Sequence, residues 1–212
     1  MTKHFKVALY LVLAIGFSSA FAGSRDDFFI ALNRDDGGWV ARLLKQGFDP
    51  NTLDDKGRTA LGFALLNDSM RAAEALMESP TLDVNRLNTA GESALMIAAL
   101  RGNLDWVKRL LARGAQVNHD GWSALHYAAS GPNPEVVDLL IRQGANIEGR
   151  SPNGTTPLMM AARYGSEPNV DRLLAAKAEI RASNEQGLTA VDFARLGGRE
   201  PLTKRLDQLM PR

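Results

Sequence analysis

The sequence predicts an all-α fold, a solenoid of stacked helix–turn–helix units, on three observations. Glycines recur at intervals of 34, 30, 33 and 33 residues, at Gly57, Gly91, Gly121, Gly154 and Gly187. Each is followed by a hydroxyl residue two positions on, an aliphatic residue at four, alanine at seven and leucine at nineteen. The composition has 19 glycines and only 7% aromatic residues, which favours short helices and tight turns. A period near 33 residues is typical of repeat proteins, whose units bury their apolar faces against one another.

Each unit contains residues that suit the start and the end of a helix. The recurring hydroxyl can accept hydrogen bonds from unpaired N–H groups of a first helical turn, and it is found at Thr59, Ser93, Ser123, Thr156 and Thr189. Pro157 follows one of them at the first helical position, where a missing N–H does no harm. Paired leucines such as Leu110 and Leu111 are expected to fill the space between second helices. Gly114 and Gly144 are expected to end second helices in the left-handed conformation that glycine tolerates.

Three segments carry a resemblance to a known family. Gly-Glu-Ser-Ala-Leu-Met-Ile-Ala-Ala (91–99), Gly-Trp-Ser-Ala-Leu-His-Tyr-Ala-Ala (121–129) and Gly-Thr-Thr-Pro-Leu-Met-Met-Ala-Ala (154–162) resemble the ankyrin repeat's Gly-x-Thr-Pro-Leu-His-x-Ala-Ala. Residues 110–118 and 136–147 look like its second helix and exit turn. The resemblance extends from about Arg25 to Leu209. It implies an ankyrin-repeat solenoid with projecting β-hairpin loops and a concave face that binds other proteins.

The repeat register predicts the domain organisation. We expect capping repeats, each with one solvent-exposed face, at both ends of the array. They are a degenerate first unit, residues 23–53, and a charged last unit, residues 184–212. Between them we expect four repeats within residues 54–181, at about 54–86, 87–117, 118–150 and 151–183. Three residues are missing from the loop at 117–121, so that hairpin should be blunt or irregular. One extra residue lies near 79–82.

Residues 1–22 have the layout of a secretory signal peptide. A positive start at Lys3 and Lys6 precedes an apolar stretch from Val7 to Phe17, and small residues end at Ala22. Eleven apolar residues span only about 16 Å as a helix, against roughly 30 Å of hydrocarbon core, so cleavage is favoured over anchoring. No later stretch reaches membrane-spanning length, and we expect no membrane insertion of the mature chain. The expected location is the periplasm, with secretion as the alternative.

Composition and motifs argue against several functions. The formal net charge is +1, and −1 without Lys3 and Lys6, with no basic stripe of the kind that nucleic-acid binding needs. The chain contains no cysteine, phosphate-binding loop, nucleophile motif or paired-histidine zinc motif. His126 occupies the family's Pro-Leu-His position, where its imidazole is expected to bond within the turn framework. His119 has no evident further ligands for a metal or an acid–base role. We therefore expect no enzyme activity and no cofactor.

The positive expectation is binding of another protein, by a chain that is monomeric when unbound. By register with the family, the candidate partner-binding residues are Asp55, Lys56, Arg58, Thr89, Glu92, Arg101, His119, Trp122, Asn153, Thr155, Arg163 and Tyr164. Aromatic residues and arginine dominate binding hot spots, which favours Trp122 and Tyr164. Trp122 has an equal alternative, in which it packs over the shortened loop. Trp39 and Trp106 take aliphatic positions of second helices and are expected in the core.

The protein also resembles the bacterial periplasmic ankyrin proteins. Some of these are associated with catalase and protection from peroxide, and others act as immunity proteins that block toxins. The resemblance implies a periplasmic binder that holds, inhibits or protects a partner. The alternatives are a secreted effector that binds a host protein and, with less support, an enzyme or a haem or metal handler on the same fold.

Overall fold

The computed structural model describes residues 25–210, and within them the chain divides into two units. The first, residues 25–83, contains α1 (the helical residues 25–33), α2 (Gly37–Lys45), α3 (Ala60–Leu66) and α4 (Met70–Met77). In this unit α2 and α3 each pack against α4. The signal peptide predicted at residues 1–22 lies outside the described residues.

The second unit, residues 84–210, contains eight helices in two layers. They are α5 (Ala94–Leu100), α6 (Leu104–Ala112), α7 (Ala124–Ser130), α8 (Pro134–Arg142), α9 (Pro157–Tyr164), α10 (Glu167–Ala175), α11 (Ala190–Leu196) and α12 (Glu200–Leu209). The odd-numbered first helices pack in sequence, α5 on α7, α7 on α9 and α9 on α11. The second helices α6, α8 and α10 form the other layer, and each is paired with its own first helix. The predicted all-α repeat class is confirmed.

The recurring hydroxyl residues are helix N-caps, as predicted. All five immediately precede the first residue of a first helix: Thr59, Ser93, Ser123, Thr156 and Thr189. The Thr59 hydroxyl accepts a hydrogen bond from the Gly62 N–H at 3.1 Å, and the Thr156 hydroxyl accepts one from the Met159 N–H at 3.4 Å. One orphan donor of each helix is thereby paired, which is worth about 1 kcal/mol.

The loops before these helices are tight turns with little strand structure. Four of them share an acceptor side chain three residues before the repeat glycine, at Asp54, Asn88, Ser151 and Asn184. Each accepts a hydrogen bond from the backbone N–H four residues later, at 2.8–3.0 Å. In the described part of the chain, the only isolated β-bridge joins Leu53 and Thr59. A five-residue loop closed in this way leaves little chain for a longer hairpin ladder.

Asparagine side chains tie successive repeats together near their exit turns. Asn85 accepts a hydrogen bond from the Gln116 N–H at 2.8 Å and donates to the Gly114 carbonyl at 3.1 Å. Asn118 does the same one repeat later, toward Asn146 and Gly144. In the first unit, Asn51 bonds in the same way to the backbone of residues 81 and 83. This ladder pairs backbone groups of each exit turn across the repeat boundary.

The core consists of aliphatic residues at the predicted register. The fully buried leucines of the second unit include Leu95, Leu110, Leu125, Leu140, Leu158 and Leu173. Trp106, on α6, is 3% exposed, which confirms its predicted core position. The same prediction for Trp39 is wrong, because this residue near the start of α2 is only half-buried. Gly114 and Gly144 have φ values of 89° and 81°, which confirms the left-handed helix ends.

Candidate protein-interaction surface

The structure separates the twelve candidate residues by exposure. Asp55, Lys56, Thr89, Arg101, Asn153 and Tyr164 are exposed, and Arg58, Glu92, His119, Trp122 and Arg163 are half-buried. Thr155 is only 1% exposed, so its predicted place on the open surface is wrong. The turn draws it inward, since its N–H donates to the Ser151 hydroxyl at 3.0 Å and its carbonyl contacts the His126 Nε2 at 3.0 Å.

Arg58 and Glu92 are engaged in contacts that stabilise the fold. The Arg58 Nε donates to Asp54 at 2.7 Å, and its guanidinium lies 4.5 Å from the Phe63 ring centre. Burial alone would raise the pKa of Asp54, but the hydrogen bonds from Arg58 and from the Lys56 N–H outweigh burial and lower it.

Glu92 accepts a hydrogen bond from the Tyr127 hydroxyl at 2.8 Å and one from the Asn88 amide at 2.7 Å. Burial, together with the neighbouring Glu92 carboxylate, raises the pKa of Tyr127. A partner protein would have to break these contacts to use Glu92, which makes it a poor anchor for binding.

His126 holds the turn framework, as the sequence analysis expected. The ring is fully buried, its Nδ1 lies 2.9 Å from the Ser123 hydroxyl, and its Nε2 lies 3.0 Å from the Thr155 carbonyl. Burial lowers the pKa of His126, and hydrogen bonds to the backbone of Thr155 and Gly149 only partly offset this effect. The imidazole is therefore a neutral structural link between two repeats.

The shortened loop at residues 117–121 lacks the turn hydrogen bond that closes the other four loops. Three residues before Gly121 stands Asn118, which already bonds to the next repeat. The loop borders a cleft of about 540 Å³, and the His119 Nε2 is buried there without a hydrogen-bond partner. The Trp122 ring packs edge-on against His126, with ring centres 5.3 Å apart. Of the two alternatives for Trp122, this contact favours packing over the shortened loop.

The ends of the first helices in the second unit form a row of exposed and half-buried side chains. A Cβ added to Gly131 would lie 2.9 Å from the Leu100 carbonyl oxygen, and one added to Gly197 would lie 2.8 Å from that of Arg163. A Cβ on Gly165 would overlap the Ala129 carbonyl. Since these glycines let neighbouring helix ends touch, the residues beside them lie side by side. We call them the helix-end row: Leu100, Ser130, Arg163, Tyr164 and Leu196.

The helix-end row exposes large apolar side chains. Tyr164 is 56% exposed, Leu196 55% and Leu100 36%. The Arg163 guanidinium lies 5.0 Å from the Tyr164 ring centre and, among residues 25–210, forms no ion pair. The candidate residues Arg163 and Tyr164 thus belong to this row. Tyrosine and arginine are enriched in protein-binding hot spots, and exposed apolar side chains close to them suit a surface that binds another protein.

Leu100 and Leu196 are members that the sequence analysis did not select. Both stand nine residues after a repeat glycine, the position that Arg163 takes in its own repeat. Their equivalence to Arg163 in the repeat register could therefore have identified both leucines as candidate binding residues. They were not selected because an aliphatic residue in a helix usually belongs to the core.

The described residues offer no sign of a metal centre or of a membrane span. Between residues 25 and 210, no three histidine, aspartate or glutamate side chains come together as metal ligands would. In the same part of the chain, every helix is too short or too polar to cross a bilayer.

Stacked helix pairs with an exposed row of side chains define a class of repeat protein that binds other proteins. Comparison with known families agrees, since the model described as "Ankyrin repeats (3 copies)" matches residues 28–120, 80–150, 107–184 and 125–206. The chain belongs to the ankyrin-repeat family, whose repeats form protein–protein interaction modules.

Curated relatives share the repeats but are much longer. Protein glp-1 of Caenorhabditis elegans is 29% identical over 183 residues, 79% of this chain and 14% of that protein. Neurogenic locus notch homolog protein 1 of Xenopus tropicalis is 37% identical over 114 residues, 52% of this chain and 4% of that protein. The B-cell lymphoma 3 protein homolog of Mus musculus is 31% identical over 163 residues, 74% of this chain and 36% of that protein.

Proposed function

We propose that the chain is an extracytoplasmic interaction module that binds a partner protein through the helix-end row and thereby holds, inhibits or protects it. The observation that carries the proposal is the exposure of Tyr164 and Leu196, each more than half open to solvent. Removing these side chains from water on binding would be favourable by about 25 cal/mol per Å² of apolar surface. Within residues 25–210, the Arg163 guanidinium contacts the Tyr164 ring, and neither Tyr164 nor Leu196 is part of the buried core.

Export of the protein rests on residues 1–22. Their positive start, short apolar stretch and small residues before Gly23 support cleavage after Ala22. The test is to isolate the protein from fractionated cells of its native host and to sequence its N-terminus. We expect a chain that begins at Gly23 in the periplasm. The same chain in the culture medium would favour a secreted effector, and an uncleaved chain in the cytosol would refute export.

Partner binding is tested by affinity capture from the exported fraction of the native host, followed by mass spectrometry. We expect one reproducible partner protein that the double variant Tyr164→Ala and Leu196→Ala captures at least about tenfold less. The matched control is Leu209→Ala on α12, since Leu209 is 54% exposed but lies outside the row. Equal loss with the control, or undiminished capture by the double variant, would refute the assignment of this surface.

The identity of the captured protein distinguishes the roles that the family resemblance suggests. An antioxidant enzyme would support protection from peroxide, and a toxin would support immunity. We expect the purified chain to be colourless, metal-free and inert toward peroxide. A bound chromophore or turnover of peroxide would instead favour the enzyme or haem-handling alternative.

A further inference from the structure

The charge and spacing of the helix-end row specify the chemistry of what binds there. Building on the proposed function, we infer that the row receives an extended, acidic segment of the partner protein. In this segment a carboxylate bonds Arg163, and apolar side chains on either side contact Leu196 and Leu100. The inference deepens the proposed function, because it names the type of peptide and not only the surface.

Arg163 supplies the charge. Its guanidinium is half-buried and lies 5.0 Å from the Tyr164 ring centre, while no carboxylate of the described residues pairs with it. A guanidinium held against an aromatic ring is preorganised and retains donors for a bidentate carboxylate. Each arginine hydrogen bond to a partner's carboxylate would be charge-assisted, and partial burial reduces its screening by salt.

Two acidic residues near the row, Asp192 and Glu167, are paired with arginines of the protein itself. On α11, Asp192 accepts hydrogen bonds from Thr189 and is paired with Arg195 at 2.7 Å. At the start of α10, Glu167 faces Arg205 at 3.5 Å. No member of the row is acidic, and Arg163 gives the row a positive charge. The row therefore favours an acidic segment and disfavours a basic one.

Helix spacing sets the order of residues in the bound segment. Packed helices lie about 8–10 Å apart, so Leu196 on α11 is one helix spacing from Arg163 on α9, and Leu100 on α5 is two. An extended chain rises about 3.3 Å per residue. The carboxylate should then stand about three residues from one apolar side chain and about six from the other, with the two apolar residues on opposite sides of it.

The test uses a phage-displayed library of random 12-residue peptides, selected on the purified full chain. We expect enriched peptides to contain aspartate or glutamate with apolar residues at about these spacings. The best peptide should bind Arg163→Glu at least about tenfold more weakly than the wild type. Arg142→Glu, at the exposed end of α8, is the matched control and should leave the affinity unchanged.

A charge exchange separates specific pairing from general electrostatics. Replacing the peptide's carboxylate with lysine should abolish binding to the wild type and restore it to Arg163→Glu. Enrichment of neutral or basic peptides, no enrichment at all, or acidic peptides that bind Arg163→Glu normally would overturn the inference. If the captured partner still depends on Tyr164 and Leu196 in those cases, the proposed function stands and only the chemistry of the segment is wrong.

Discussion

Replacing Asn169 with alanine removes a side chain that connects two repeats through their backbones. Asn169 lies on α10 and is completely buried. Its Nδ2 lies 3.2, 3.1 and 2.8 Å from the carbonyl oxygens of Ala128, Ala129 and Gly131, at the end of α7. These carbonyls lie where a helix has no further N–H groups to offer, so the asparagine acts as a cap supplied by the next repeat.

The expected cost follows from those contacts. The amide has two protons, and a net contribution of about 1 kcal/mol per hydrogen bond gives roughly 2 kcal/mol. Buried carbonyls left without a donor add about 1–3 kcal/mol. The Asn169 Oδ1 is itself buried without a partner, and its removal offsets part of this cost. We therefore expect a loss of about 2–4 kcal/mol, which corresponds to a melting temperature lower by roughly 4–16 °C.

Urea unfolding followed by far-ultraviolet circular dichroism and by tryptophan fluorescence measures this loss. Hydrogen exchange of the α7 amides locates it, and they should exchange faster in Asn169→Ala than elsewhere in the second unit. Asn153→Ala is the control, since the side chain of this exposed asparagine bonds only within its own loop, and the substitution should cost less than about 1 kcal/mol. A change of less than about 0.5 kcal/mol in Asn169→Ala would refute the capping argument.

Three further predictions concern the same framework. Arg199→Ala removes bonds to three carbonyls at 2.8–3.0 Å, so we expect a loss of about 1–3 kcal/mol and faster hydrogen exchange in α9, whereas unchanged exchange there would contradict it. Gly165→Ala places a Cβ on a neighbouring carbonyl and should cost about 2–3 kcal/mol in thermal unfolding, more than Gly114→Ala, where only a positive φ is strained. Acidification below about pH 6.5 should lower the free energy of unfolding, because burial lowers the pKa of folded His126 and the unfolded chain binds the proton first. Urea titrations at pH 7.5 and 5.5 should show a lower free energy of unfolding at pH 5.5 for the wild type and a smaller decrease for His126→Gln. Equal decreases in the two proteins would exclude His126 as the cause.

Helix positions could be predicted from the sequence because their signals are local. A hydroxyl such as Ser93 bonds a backbone N–H three residues away, so its effect is contained within one turn of chain. The spacing of the repeat glycines located the N-termini of five first helices at once. Trp39 shows the limit of this reasoning, because its position suits the core but the structure leaves it half-exposed.

The candidate surface was harder to predict because its residues compete with contacts from other repeats. Glu92 bonds Tyr127, which is 35 positions away in sequence, and a register within one repeat gives no sign of this bond. The Thr155 carbonyl likewise bonds His126 of the preceding repeat, a contact that the register within one repeat does not predict. Exposure in a repeat protein depends on what the neighbouring repeat contributes, and that is a property of the stack.

Comparison of equivalent positions within this chain shows which side chains are available for function. Four residues after each glycine the second unit has Leu95, Leu125, Leu158 and Val191, all at most 3% exposed. Nine residues after the same glycines it has leucine, serine, arginine and leucine, which differ in size, polarity and charge. Packing between repeats restricts the position four residues after the glycine to aliphatic side chains. The position nine residues after the glycine is under no such packing restriction. The chemistry of the helix-end row is therefore not explained by the fold, and a binding partner is the simplest requirement that would select it.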